Sequence, residues 1–166
     1  MDRLRRKDPS KNLIECLVGE VRYAIAIGAV REIVNPLTTV PLASAPAWVS
    51  GVASYRDEVV PVIDLRTRFG LPRADTTRRT KWIVVQRGDL SFALVVDGVT
   101  EVFRSGEVKP APPLAHGADV RSLEGTTTHA GQMVLVLDVT RLADLVEPAL
   151  ARAAPARQTV PPPEDA

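Results

Sequence analysis

Arg56 stands between Tyr55 and Asp57 in the polar run Ala53-Ser54-Tyr55-Arg56-Asp57-Glu58, which separates Val52 from the apolar segment Val59 to Ile63. A turn between two strands holds its guanidinium near an aromatic face and a carboxylate. That chemistry suits recognition, because Arg and Tyr are enriched as anchors of protein interfaces. An internal ion pair is the competing role, with Glu32 as the candidate partner, and the two roles are compatible. Val30, Ile33, Val99 and Val102 flank Glu32 and Glu101. Strand alternation places them either in the core or at a partner surface.

Bond-making chemistry is poorly supplied. Ser54, His129 and a carboxylate could form a nucleophile, base and orienter, but His116 and His129 both lie beside loop residues and read as exposed loop histidines. Asp64 and Asp138 could pair for acid-base work, yet each precedes a short helical segment and capping is the better account. The ten glycines include no phosphate-cradling run leading to Lys-Ser or Lys-Thr. With one cysteine, Cys16, and two histidines 13 positions apart, no metal-ligand spacing is visible and no cofactor is expected. Cys16 sits in the apolar run LIECLV as a buried strand thiol, and a single Cys fits a reducing compartment.

The 21 basic and 20 acidic side chains give a formal net charge of +1, which creates no global field for nucleic acid or membrane. Residues 1–11 are the exception, with five basic against two acidic side chains, leaving −2 on the remainder. This basic leader has no apolar export region, so a cytoplasmic protein is expected. A small-barrel module that uses the leader to bind nucleic acid or a charged surface is the alternative function. Seven aromatic residues in all give little support for a base-stacking platform. The uncharged stretch Ile33 to Tyr55 is 23 residues long, but Pro36, Pro41 and Pro46 exclude a membrane helix, and no membrane insertion is expected.

The elements that must position these groups repeat. Strands are predicted at Leu13 to Val18 and Val21 to Ile27 around a Gly19-Glu20 turn, with Val21, Tyr23, Ile25 and Ile27 on a deeply buried face and Arg22, Ala24 and Ala26 on a lightly buried one. Val30 to Val34 is extended or weakly helical, and Pro46 to Ser50 reads as a one-turn helix stopped by Gly51. A strand from Glu58 to Ile63 carries Pro61, which suggests an edge or a bulge. Asp64 caps Leu65 to Phe69. Lys81 to Gln86 and Leu90 to Val96 form a second hairpin around Arg87-Gly88-Asp89.

Adding 69 to positions 23–33 gives positions 92–102, with Ala24/Ala93, Val30/Val99 and Glu32/Glu101 identical. Adding 74 carries Val60, Val62 and Asp64 onto Val134, Val136 and Asp138, so five extra residues lie between these blocks, naturally in the loop of Pro110, Pro112 and Pro113. Two strand-rich copies of roughly 70 residues without intervening helices point to two similar small β-barrels or a duplicated sandwich. A helix is predicted from Thr140 to Leu150, with Pro148 able to shorten it, and residues 148–166 read as an Ala/Pro-rich disordered tail.

The string Gly51-Val52 … Arg56 … Val59-Val60-Pro61-Val62-Ile63-Asp64-Leu65-Arg66 resembles the CheW-like coupling proteins of bacterial chemotaxis. So do Val30-Arg31-Glu32-Ile33, Pro46-Ala47-Trp48-Val49, Val95 to Val102 and Leu135 to Asp138, and the match covers about residues 13–147. The resemblance implies a mainly β fold of two intertwined SH3-like five-stranded β-barrels with a few short helices and a C-terminal helix. It places the domain at residues 12–147, with barrel one at about 20–75 and barrel two at about 80–147, and allows the N-terminal strand to cross over. It further implies a non-enzymatic adaptor linking the cytoplasmic tip of methyl-accepting chemoreceptors to the regulatory domain of a CheA-type histidine kinase. Arg56 matches the Arg of the family's Asn-Leu-Arg-Gly turn, and Val30 and Glu32 match its Val-x-Glu-Ile segment, positions that line the receptor-facing inter-barrel region. Only the Arg of that turn remains here, within Ser54-Tyr55-Arg56-Asp57, which fits either a version specialised to one receptor or kinase or one that has lost a partner. Kinase contacts are not confined to motifs and are not assigned to residues.

Overall fold

The computed structural model describes residues 12–111 and 120–153. The first copy of the repeat supplies β1 (Asn12–Val18), β2 (Val21–Ala26), β3 (Val30–Val34), β4 (Val49–Tyr55), β5 (Glu58–Asp64) and the short helix α1 (Leu65–Arg68). The second supplies β6 (Lys81–Arg87), β7 (Leu90–Val96), β8 (Gly98–Arg104), β9 (Leu123–His129), β10 (Gln132–Leu137) and helix α2 (Val139–Ala153). The protein is mainly β, in two five-stranded sheets.

The sheets do not follow the copies. One has the order β3-β6-β7-β5-β4, and the other β8-β1-β2-β10-β9. Each barrel therefore joins the last three strands of one copy to the first hairpin of the other. The expected division at about residues 75–80 is corrected accordingly: β6 and β7 belong with the first barrel, and both β1 and β2 cross into the second. The exchange is sealed by two parallel pairings, Val62 opposite Ala93 and Val136 opposite Ala24. Such pairing cannot be made by a hairpin within one copy.

The duplication extends to single hydrogen bonds. An isolated bridge joins Val40 to Val52, and its counterpart joins Lys109 to Thr126. Asp64 N donates to Trp48 O and Asp138 N donates to Ser122 O, both at 2.8 Å. Gly51 has φ +145, and a Cβ there would lie 2.1 Å from Val40 O; a Cβ at Gly125 would lie equally close to Lys109 O. In both barrels the crossing segment needs glycine because the backbone passes at contact distance.

Asp64 caps α1 by accepting from Arg66 N at 3.0 Å and Thr67 N at 3.4 Å. Asp138 accepts from Thr140 N at 2.9 Å and Arg141 N at 3.2 Å at the start of α2. Both aspartates are thus caps on separate helices, not a carboxylate pair. Four local expectations need correction. Pro46 to Ser50 is a turn leading into β4 rather than a helix, because Val49 N bonds only Pro46 O before joining the sheet. Pro61 lies in β5, which is an inner strand. Its partner Val52 spends its own N–H and C=O on Val40, so no ladder donor is lost at that pair. Ala24 is fully buried, since its face of β2 lines the second barrel. Helix α2 passes through Pro148 to Ala153, so 148–153 is not tail; Pro148 is on the solvent side, where the carbonyl it cannot bond reaches water. The leader, His116, Pro112, Pro113 and residues 154–166 lie outside the described residues.

Alternation along the strands builds three cores. Ala53, Tyr55, Val60, Val62, Trp82, Val84 and Ala93 fill the first barrel, and Leu13, Ala24, Phe103, Val134 and Val136 the second. The largest cluster lies between the barrels, where Tyr23 and Ile25 of β2 meet Phe92 and Leu94 of β7, roofed by Leu142, Val146 and Ala149 of α2. Strands β2 and β7 point large side chains to this shared core and alanine to a barrel interior. Each large side chain buried there contributes about 1.5–3 kcal/mol.

Candidate interaction site

The β4–β5 hairpin turns on two residues, since Tyr55 pairs with Glu58. Arg56 and Asp57 both take positive φ, +48 and +63. A two-residue turn of this hand matches the right-handed twist of its strands, and most often uses Asn, Asp or Gly. Asp57 adopts it readily; Arg56 does so against its own preference. Its side chain offsets the strain.

Arg56 Nε donates to Glu32 Oε1 at 2.8 Å, and Tyr55 OH donates to the same oxygen at 2.7 Å. Glu32 is on β3 and the turn follows β4, so this pair closes the first barrel between the two edges of its sheet. The Tyr55 ring lies within cation–π reach of two guanidiniums, with Arg31 5.2 Å and Arg56 5.7 Å from its centre. Arg31 Nη1 in turn donates to Glu58 Oε2 at 2.9 Å and to Ser91 Oγ at 3.0 Å. Tyr55 is 5 % exposed, whereas the Arg56 side chain is 62 % exposed. The bonds Arg56 makes to Glu32 and Tyr55 use Nε and not its two terminal amino groups. The cluster is thus a fixed donor fork, able to recognise a carboxylate or backbone carbonyl.

The Arg56 and Tyr55 bonds hold the Glu32 carboxyl below its ordinary value of 4.5, and the same bonds raise the Arg56 guanidinium. A carboxylate depressed on folding adds stability above its unfolded pKa, and that stability is lost as pH falls through the lower folded value. The melting temperature of the wild type is therefore expected to fall more steeply than that of Glu32→Gln as pH drops below the ordinary value of 4.5. The difference should be small because the pair is exposed to solvent. Parallel curves in a pH series of thermal melts would remove the ion pair from the account.

Of the other sequence candidates, Val30 is half-buried against the central core and Ile33 is exposed on β3. Val99 and Val102 are their counterparts on β8, in the second sheet, with Val99 packed on the central core and Val102 exposed. The structure thus gathers Arg56, Tyr55, Asp57 and Glu32 at one hairpin, while the β8 pair lies in the other barrel. Arg31, Glu58, Ser91 and the 71 % exposed Val59 join the first group. Only alternation could have flagged Val59, and the Arg31–Ser91 contact crosses between copies. Ser54 and His129 lie in different sheets and form no triad. His129 is not a loop residue either: it ends β9 and stacks on Phe103 with ring centres 4.0 Å apart. Cys16 is fully buried, and desolvation, followed by the charges of Glu15 and Asp97, pushes its thiol up to about 12, far from a reactive thiolate.

A duplicated, hairpin-exchanged pair of barrels presenting a braced guanidinium defines a binding scaffold. The CheW-like domain family matches residues 12–147. A chemotaxis protein CheW of Rhizobium meliloti is 30% identical over 131 residues, covering 78% of this chain and 84% of that protein. The chemotaxis protein CheW of Klebsiella aerogenes is 30% identical over 135 residues, covering 80% and 81%. Protein FrzA of Myxococcus xanthus is 28% identical, covering 82% and 85%. The crystal structure of the scaffolding protein TtCheW from Thermoanaerobacter tengcongensis superposes with a TM-score of 0.72 at 26% identity, covering 77% of this chain and 88% of that one. The chain belongs to the CheW-like family. It is a chemotaxis-type coupling adaptor and not an enzyme. No helix among the described residues is long and apolar enough to cross a membrane.

Proposed function

We propose that this adaptor works in the cytoplasm, linking the cytoplasmic tip of a methyl-accepting chemoreceptor to the regulatory domain of a CheA-type histidine kinase. The Arg56 hairpin is its receptor contact. The carrying observation is the exposed guanidinium held in register by Glu32 and Tyr55. A partner gains a pre-ordered donor fork without the cost of freezing a long side chain. Exposed Ile33 and Val59 supply apolar contact beside it, and Val102 offers the same on the second barrel. Val30 and Val99 pack on the central core and Tyr55 in the first barrel's core, anchoring the strands that carry these contacts. Asp57 adds a carboxylate at the tip of the turn, which favours a receptor surface carrying a cation opposite it. The nucleic-acid alternative is not favoured, since the family match begins after the basic leader.

Titrating the full chain with a receptor tip hairpin tests this proposal. Arg56→Glu is expected to weaken binding by at least about tenfold, the range of an interface anchor. Its melting temperature should stay close to wild type, because exposed ion pairs contribute little. Unchanged affinity would remove Arg56 from the interface.

A further inference from the structure

The pseudo-symmetry that relates the barrels carries the Arg56 cluster onto a second group with different chemistry. Glu32 maps to Glu101, Tyr55 to His129 and Arg56 to Ala130. The ring-to-carboxylate bond survives, with His129 Nε2 2.9 Å from Glu101 Oε2. The cation does not, because Ala130 carries no charge. A further carboxylate appears instead: Glu15, whose Cα pairs with that of Glu101 across β1 and β8, stands where the first barrel has Val84.

Glu15 is 1 % exposed. Its Oε2 accepts from Arg22 Nη1 at 2.5 Å and Thr100 Oγ1 at 3.0 Å. Its Oε1 is buried without a hydrogen-bond partner. An ionised oxygen in that position is costly unless something positive approaches it. Glu15, Arg22, Glu101, His129, Ala130 and Gln132 line a cleft of about 180 Å³. One ligand atom from each of Glu15, Glu101 and His129 lies within 4.8 Å of the other two.

We infer that this cleft is a binding site for a single divalent transition-metal ion, with Glu15, Glu101 and His129 as its protein ligands. Two carboxylates and an imidazole suit zinc and its neighbours rather than calcium or magnesium, which favour all-oxygen shells. His129 Nε2 and Glu101 Oε2, now 2.9 Å apart in a hydrogen bond, would exchange that bond for a shared ion and separate to about 3.4 Å, the spacing of tetrahedral ligands about 2.0–2.2 Å from zinc. Stacking on Phe103 fixes the imidazole plane, and Arg22 occupies Oε2, leaving Oε1 for the ion. The ion would tie β8 to β9, which occupy opposite ends of the sheet order. It does for the second barrel what Arg56 does for the first.

Calorimetric titration of the chelator-stripped full chain with Zn²⁺ alone tests the site. One equivalent is expected to bind and to raise the melting temperature. His129→Phe, which keeps the ring stack, and Glu101→Gln should each weaken binding at least about tenfold, while His116→Ala should leave it unchanged. The Glu101 and His129 side chains are 53 % and 24 % exposed, so their variants fold whether or not an ion binds. Absence of saturable binding, binding that survives both variants, or binding lost in His116→Ala would overturn the assignment.

Discussion

Cleavage between Asp75 and Thr76 is expected to give two fragments that are each unfolded alone and regain native structure when mixed. The cut falls in the exposed linker between α1 and β6, so no core contact is severed by the nick itself. The N-terminal fragment holds β1 and β2, whose partners β8 and β10 are on the other piece, together with β3 and the β4–β5 hairpin, whose partners β6 and β7 are likewise missing. Each fragment would leave strand edges unpaired and half of the central core in water. Circular dichroism of the separate and combined fragments reads the result. A folded 76–166 fragment would mean that the barrels close within a copy and that the exchange is wrong.

Replacing Phe92 by Ala should cost about 3–5 kcal/mol, the range for deleting a fully buried aromatic side chain. Phe92 is 0 % exposed and sits where both sheets and α2 meet. For a chain of this size the loss corresponds to roughly 6–20 °C in melting temperature. Unfolding should remain a single transition, because the cluster draws Tyr23, Ile25, Leu123 and Leu137 from one barrel and Ile63, Ile83, Phe92 and Leu94 from the other. Two separate transitions in calorimetry, or a loss below about 1 kcal/mol, would show that the shared core does not couple the barrels.

The repeat was legible in the sequence because duplicated positions face duplicated environments. Ala24 and Ala93 must be small where a barrel interior narrows, and Asp64 and Asp138 each cap a helix. Which copy a strand pairs with was hidden. A β-hairpin carries the same alternation whether it adds to its own copy or to the other, and nothing in that pattern names the partner edge. Pro61 misled because neither neighbour of its inner strand uses an N–H there: Val52 bonds Val40, and the parallel pairing with β7 begins only at Val62. At the site, Arg56 and Glu32 could be matched because charged residues in apolar surroundings stand out. His129 read as a loop residue since Ala130-Gly131 follow it, although the 74-residue offset of the repeat sets it at the place of Tyr55.

Hydrogen–deuterium exchange of the full chain, with and without a chemoreceptor tip hairpin, is the most direct test of the docking surface. Protection is expected over Val30–Val34 and across the turn from Tyr55 to Val59, with the β9–β10 turn around Ala130 unaffected by the receptor. Protection confined to the second barrel, with the Arg56 turn exchanging as it does in the free chain, would contradict the account.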